Sequence, residues 1–209
     1  MIPEDSPRSV AVSQRARVYT GNIWAVDKDT FELDGQTLVR DYICHMGAVA
    51  VVAVNELGEI LVITQYRHAV GHRMVELPAG LLDIAGEPPA AAAARELLEE
   101  TGYQARDWAV LVDLCTTPGS SSEALRIFVA RGVEFAEHDA SHLDGEERGI
   151  ERHWVALPDA VEAVLGGKWQ NPTAVAGVLA LAAGGATRPA DAPWPLRDAE
   201  EASGRVFRR

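Results

Sequence analysis

The chain has 209 residues, 47% of them hydrophobic, and a formal charge of -12, enough for one domain with small additions but not two full ones. The acidic excess, with no basic stripe interrupting it, argues against nucleic-acid binding. MIPEDSPRSV lacks the basic and apolar segments of a secretory signal, and no apolar run approaches the roughly 20 residues of a membrane span, so a soluble, cytoplasmic protein is expected.

Residues 1–45 read as an N-terminal β element. Short strands from Val18 to His45 are punctuated by the turn-like AspLysAspThr and by AspGly, and the element could pair with a partner chain. From Gly47 the runs GAVAVVAV and EILVITQY flank the turn-rich AsnGluLeuGly, which predicts a β-hairpin. Further strands are expected near Val110–Leu114, Leu125–Val129 and His153–Leu157, giving a mixed sheet.

GluProPro, then AAAAARELLEET, then Gly102 spell a helix start, body and left-handed stop. A short helix is expected over Pro158–Leu165, and Asn171 is placed to cap another over Pro172–Ala183. Residues 186–209, rich in Pro, Ala and charge, read as a loosely ordered tail behind a main domain at 46–185. Cys44 and Cys115 lie in strand-like runs with no metal-ligand spacing around them, so both are expected as buried free thiols.

The first helix carries the chemistry. At about 100° per residue, Glu99 and Glu100 fall at about 300° and 40° from Glu96, so three carboxylates share a face, and Ala90, Ala94, Leu97 and Leu98 are expected to form the core stripe opposite. Like charges at these spacings repel by a few tenths of a kcal/mol per pair, roughly, and divalent cations would turn that repulsion into attraction. Hard carboxylate oxygens suit Mg²⁺ or Mn²⁺, and no His or Cys stands nearby to favour zinc.

The surrounding GLLDIAGEPPAAAAARELLEETGY resembles the Nudix hydrolase signature through Gly80, Glu87, Arg95, Glu96, Leu97, Glu99, Glu100 and Gly102. Seven identical matches at ~7% each arise by chance on the order of once per 10⁸ positions. The chain departs from the pattern by an additional residue between Gly80 and Glu87, which lengthens a loop without disturbing the helical register, and by Tyr103 in place of an aliphatic residue.

The resemblance implies an α/β fold, the Nudix α/β/α sandwich around a mixed central sheet. It also implies a metal site in which Glu96 and Glu100 are the principal ligands, the Ala79 carbonyl completes the shell and Glu99 contributes directly or through water. Glu87 and Arg95 would hold the loop against the helix. The catalytic base is expected in the acidic loop before HWVAL, at Glu147 or alternatively Glu146.

TGNIWAV, GAVAVVAV, ITQYRH, VELPAGLLD and TTPGSSSE together resemble the ADP-ribose pyrophosphatase branch, over about Thr20 to Ala183. Ser120 departs from the aromatic residue common there after ProGly. The branch implies that Trp24 stacks on adenine, Arg67 contacts phosphate, Arg40 holds the nucleotide end, and the N-terminal strands are exchanged in a homodimer. The expected reaction is Mg²⁺-dependent cleavage of ADP-ribose to AMP and ribose 5-phosphate. The alternatives are another nucleotide sugar such as GDP-mannose, or a non-catalytic ADP-ribose sensor.

Overall fold

Six consecutive buried residues, Ala48–Ala53, form strand β4, and their alternation shows where the helices of this fold must lie. Ala48, Ala50 and Val52 face one apolar cluster with Ala174 and Val178; Val49, Val51 and Ala53 face another with Ala92, Ala93 and Leu97. A strand apolar on both faces is a central strand covered by helices on either side. The computed structural model describes residues 2–136, 149–185 and 187–207. The chain divides into two compact units, Ala48–Leu114 with Leu125–Ala192, and Met1–Gly47 with Cys115–Ala124 and Pro193–Arg209.

The first of these units holds strands β4, β5 (Glu59–Arg67), β6 (His72–Glu76), β7 (Ala79–Leu81), β8 (Tyr103–Cys115) and β9 (Ala124–Phe135), except for the last residue of β8 and the first of β9, together with β10 (Glu151–Ala156) and β11 (Arg188–Pro189). Helices α1 (Pro89–Thr101), α2 (Leu157–Leu165) and α3 (Pro172–Ala182) complete it. A five-stranded sheet runs β11-β8-β9-β4-β7 and a three-stranded one β10-β5-β6. Because β4 pairs parallel with β9 and antiparallel with β7, the sheet is mixed, and α1 lies on one face with α2 and α3 on the other, as expected of an α/β/α sandwich.

The helices follow their sequence signals. Gly102 stops α1 at φ 74°, its N–H on the Leu98 carbonyl at 2.8 Å, and the Asn171 side chain accepts from the Thr173 and Ala174 amides at the start of α3. The hairpin expected from β4 into β5 is not formed: only Val54 and Ile60 bridge, and the two strands lie in different sheets. A strand whose two faces are both buried takes ladder partners on both edges, and β4 finds them in β7 and β9.

The other unit is an antiparallel sheet of β1 (Val12–Thr20), β2 (Ala25–Leu33) and β3 (Gln36–Cys44), in that order. Asp34 and Gly35 turn β2 into β3 with φ 50° and 78°, the double left-handed geometry an AspGly hairpin provides. AspLysAspThr, expected as a turn, instead lies inside β2. Asp27 and Asp29 are 1% and 4% exposed and stand opposite Arg17 and Arg15 of β1, which meet them as ion pairs. The Arg15 hydrogen bonds hold the Asp29 carboxyl below the usual carboxylate range.

Cys44 and Cys115 are both free; Cys44 is buried as expected, whereas Cys115, at the end of β8, is exposed. Residues 187–207 carry more structure than the loose tail expected from their composition. Helix α4 (Pro195–Ala202) forms within them, Trp194 and Phe207 are buried, and the Arg205 carbonyl accepts from Cys44 Sγ and Ser122 Oγ at 2.8 and 2.9 Å. Two buried aromatic side chains and these hydrogen bonds hold a segment of otherwise polar composition.

Glu200 on α4 is 9% exposed, and burial pushes its carboxyl up to about 7 against the opposing pull of Arg197 and Arg205. An acid whose folded pKa lies above its ordinary 4.5 keeps its proton better when folded, so its contribution to stability falls as pH rises from 4.5 towards 7. Glu200→Gln is therefore expected to stabilise the chain by about 2 kcal/mol at pH 8 and by little at pH 4. Thermal melts at the two pH values check this, and an equal gain at both would refute it.

Candidate active site

The segment from Glu76 to Leu81 positions the acidic side chains of α1. β7 pairs with β4 through Val49↔Gly80 and Ala50↔Ala79, and the Pro78 carbonyl accepts from the Val51 amide at 2.9 Å. α1 packs on this edge. Glu100, 7% exposed, accepts a 3.0 Å hydrogen bond from the Ala79 amide, and the Glu96 carboxylate lies directly against Gly80. A Cβ on Gly80 would stand 1.9 Å from Glu96 Cδ, so the motif glycine is the space that the carboxylate occupies.

This placement turns the helix by roughly 90° from the expected orientation, leaving Leu97 buried as expected but drawing the acidic side inward. The buried residues of α1 are Ala92, Ala93, Leu97, Glu100 and Thr101, while Ala90, Ala94 and Leu98 are only partly buried. Taking Glu96 as zero at about 100° per residue, the buried arc runs from about 320° to about 140°. It contains Glu96 and Glu100 instead of opposing them, and Glu99, at about 300°, sits at its rim. The carboxylates point towards the sheet edge because that edge supplies an amide donor and a bare Cα.

Burial raises the Glu96 carboxyl pKa; Arg95 works against that rise, while Glu99 and Asp83 add to it. Arg95 joins the acids: it grips both oxygens of Glu87 at 3.1 and 3.0 Å and donates to Glu96 at 2.6 Å and Glu99 at 3.2 Å. Its pKa is raised, chiefly by the Glu87 hydrogen bonds. Glu87 and Arg95 thus tie the 82–88 loop to α1.

Among the described residues no three His, Cys, Asp or Glu side chains converge into a ready-made metal cage. The donors nevertheless fit a hard divalent ion. Glu96 and Glu100 offer carboxylate oxygens from one helical face, desolvated against a backbone that only glycine allows so close, and cation binding would relieve the cost of keeping Glu96 charged.

The remaining expected residues are distributed as follows. Arg67, on β5, forms a bidentate pair with buried Glu76 at 2.9 and 2.6 Å. In the other unit, Trp24 is 39% exposed with its ring 5.9 Å from that of Tyr19. Arg40 donates to the Val39 carbonyl and lines a pocket of about 480 Å³ with Tyr42, Pro118, Gly119 and Ser120. Glu146 and Glu147 lie outside the described residues. Glu76 was not singled out by the sequence; its one signal is its position in VELPAG, directly before the motif.

A model of the NUDIX domain matches residues 45–176. The chain is 45% identical over 197 residues to an ADP-ribose pyrophosphatase of Mycobacterium tuberculosis, covering 91% of this chain and 94% of that protein. It is 38% identical over 132 residues to a methanol dehydrogenase activator of Bacillus methanolicus, covering 63% and 70%. The crystal structure of an ADP compounds hydrolase superposes with a TM-score of 0.69 at 19% identity, covering 97% of this chain and all of that one.

Proposed function

The chain belongs to the NUDIX family of hydrolases, and from that premise we propose that it cleaves the diphosphate of ADP-ribose to AMP and ribose 5-phosphate. The observation that carries this reading is the 45% identity to an ADP-ribose pyrophosphatase along nearly the whole of both chains. Reaction class follows from the family; the substrate is the proposed part.

Glu96 and Glu100 would hold Mg²⁺, or Mn²⁺, with the Ala79 carbonyl and with Glu99 directly or through water. When bound, the cation supplies charge neutralisation and Lewis acidity to the diphosphate. The chain's own residues do the rest. Arg95 fixes Glu96 while bracing the loop through Glu87. Arg67 receives a phosphate by charge-assisted hydrogen bonding. Glu147, or Glu146 in its place, accepts the proton of the attacking water, since the α1 carboxylates are engaged elsewhere.

Trp24 stacks on adenine and Arg40 holds the nucleotide end. Two copies associate through the β1–β3 sheet, whose exposed Val18, Tyr19 and Val39 support such a contact. The reaction would take place in the cytoplasm; no helix among the described residues is long and apolar enough to cross a membrane.

A panel of nucleoside diphosphate sugars with Mg²⁺ tests the proposal. ADP-ribose is expected to exceed GDP-mannose in kcat/KM by at least about 10-fold, with AMP released and EDTA stopping the reaction. A preference for GDP-mannose would reassign the substrate, and no turnover by folded protein would remove the catalytic reading in favour of a sensor.

A further inference from the structure

The stretch from Glu76, the last residue of β6, to Ala79, the first of β7, holds a cationic and an anionic side chain in place at once, and the inference drawn from it rests on the proposed function. Ile63, Gln65 and Arg67 share one face of β5, and Ile63 stands opposite Glu76 in the β5–β6 ladder. Glu76 is 3% exposed, and both of its oxygens accept from Arg67, Oε1 from Nε and Oε2 from Nη2. Two residues later the Pro78 carbonyl is bonded to the Val51 amide, and the next amide, that of Ala79, holds Glu100. One short stretch of chain, anchored to the central strand, therefore sets both the Arg67 guanidinium and the Glu100 carboxylate.

A carboxylate as deeply buried as Glu76 destabilises a fold unless its charge is met. Arg67 meets it, yet 44% of the Arg67 side chain remains exposed. The Arg67 side chain thus meets a buried anion while remaining partly open to solvent. The two-point grip fixes the plane of the guanidinium, and a fixed fork loses less conformational freedom on meeting a phosphate than an arginine with free rotamers.

We propose that Glu76 is a positioning residue for substrate binding: without touching the substrate, it holds Arg67 in the orientation that receives a phosphate of the nucleoside diphosphate.

Calorimetric binding of ADP-ribose in EDTA, where no turnover occurs, provides the first measurement. Glu76→Gln is expected to weaken binding about 10-fold and, with Mg²⁺, to raise KM by the same factor while kcat stays within about twofold. Glu76→Asp keeps the buried charge and with it the fold, but its shorter reach releases one of the two bonds; a smaller weakening, about 3-fold, is expected. Arg67→Ala combined with Glu76→Gln should bind no more weakly than Arg67→Ala alone, because nothing remains to be oriented. Unchanged affinity in both Glu76 variants, or losses that add in the double variant, overturns the proposal. A wild type that does not turn over ADP-ribose sinks the proposed function itself, whereas normal turnover beside unaffected Glu76 variants sinks only the positioning role.

Discussion

Glu96→Gln is expected to lower kcat/KM for ADP-ribose by about 10³-fold, the scale on which loss of a central electrostatic group is felt, while raising the melting temperature of the metal-free protein. The two effects share one cause. Glu96 is held against Gly80 in a desolvated position that disfavours its charge, so a neutral amide of nearly the same shape fits that position better. It still accepts from Arg95 through its carbonyl oxygen, and the fold is retained. A neutral amide is a poor ligand for a hard cation, and the charge that the diphosphate needs beside it goes unmet. Melts with and without Mg²⁺, beside steady-state kinetics, read both effects. Mg²⁺ should raise the wild-type melting temperature and leave that of the variant nearly unchanged. A variant that keeps both activity and the Mg²⁺ response would show that Glu96 holds no metal.

Gly80→Ala is expected to cost about as much, near 10³-fold in kcat/KM, because displacing a catalytic group by about 1 Å already costs ~10² and here the displacement must be larger. The added methyl would stand 1.9 Å from Glu96 Cδ and 2.1 and 2.4 Å from its two oxygens. Gly80 does not lie in the left-handed region, so the backbone itself would accept alanine; the three nearest atoms that the methyl would meet all belong to the carboxylate. Melting temperature falls along with activity in this variant. Shortening Glu96 in the same chain, as Gly80→Ala with Glu96→Ala, should restore most of the lost melting temperature and none of the activity. If activity survives in Gly80→Ala, the carboxylate does not work from the position described.

The sequence made some elements legible and misled on others for physical reasons. α1 could be read with its start and stop because proline, alanine and glycine act on the backbone within one or two turns. The aspartates of β2 read as a turn because their partners, Arg15 and Arg17, lie on another strand and meet them only across the ladder. The expected β4–β5 hairpin rested on a turn signal that formed locally, with Asn55 Oδ1 capping the Leu57 and Glu59 amides, although the flanking strands went to different sheets. The terminal segment looked loose because its composition does not reveal that Trp194 and Phe207 are buried.

By itself, the sequence determined the chemical class of the site: the 100° helical step places Glu96 and Glu100 together wherever the helix goes, and the motif spacing identifies the family. Only the tertiary structure decided which way that acidic face turns. The helix could have buried Ala90, Ala94 and Leu98; instead the edge at Ala79 and Gly80, some twenty residues away in sequence, provides an amide for Glu100 and an open Cα for Glu96. The same edge leads back to Glu76 and so to Arg67. Local periodicity fixes which side chains share a face, but the partner that draws that face inward is set by strand pairing, which a single stretch of sequence does not encode.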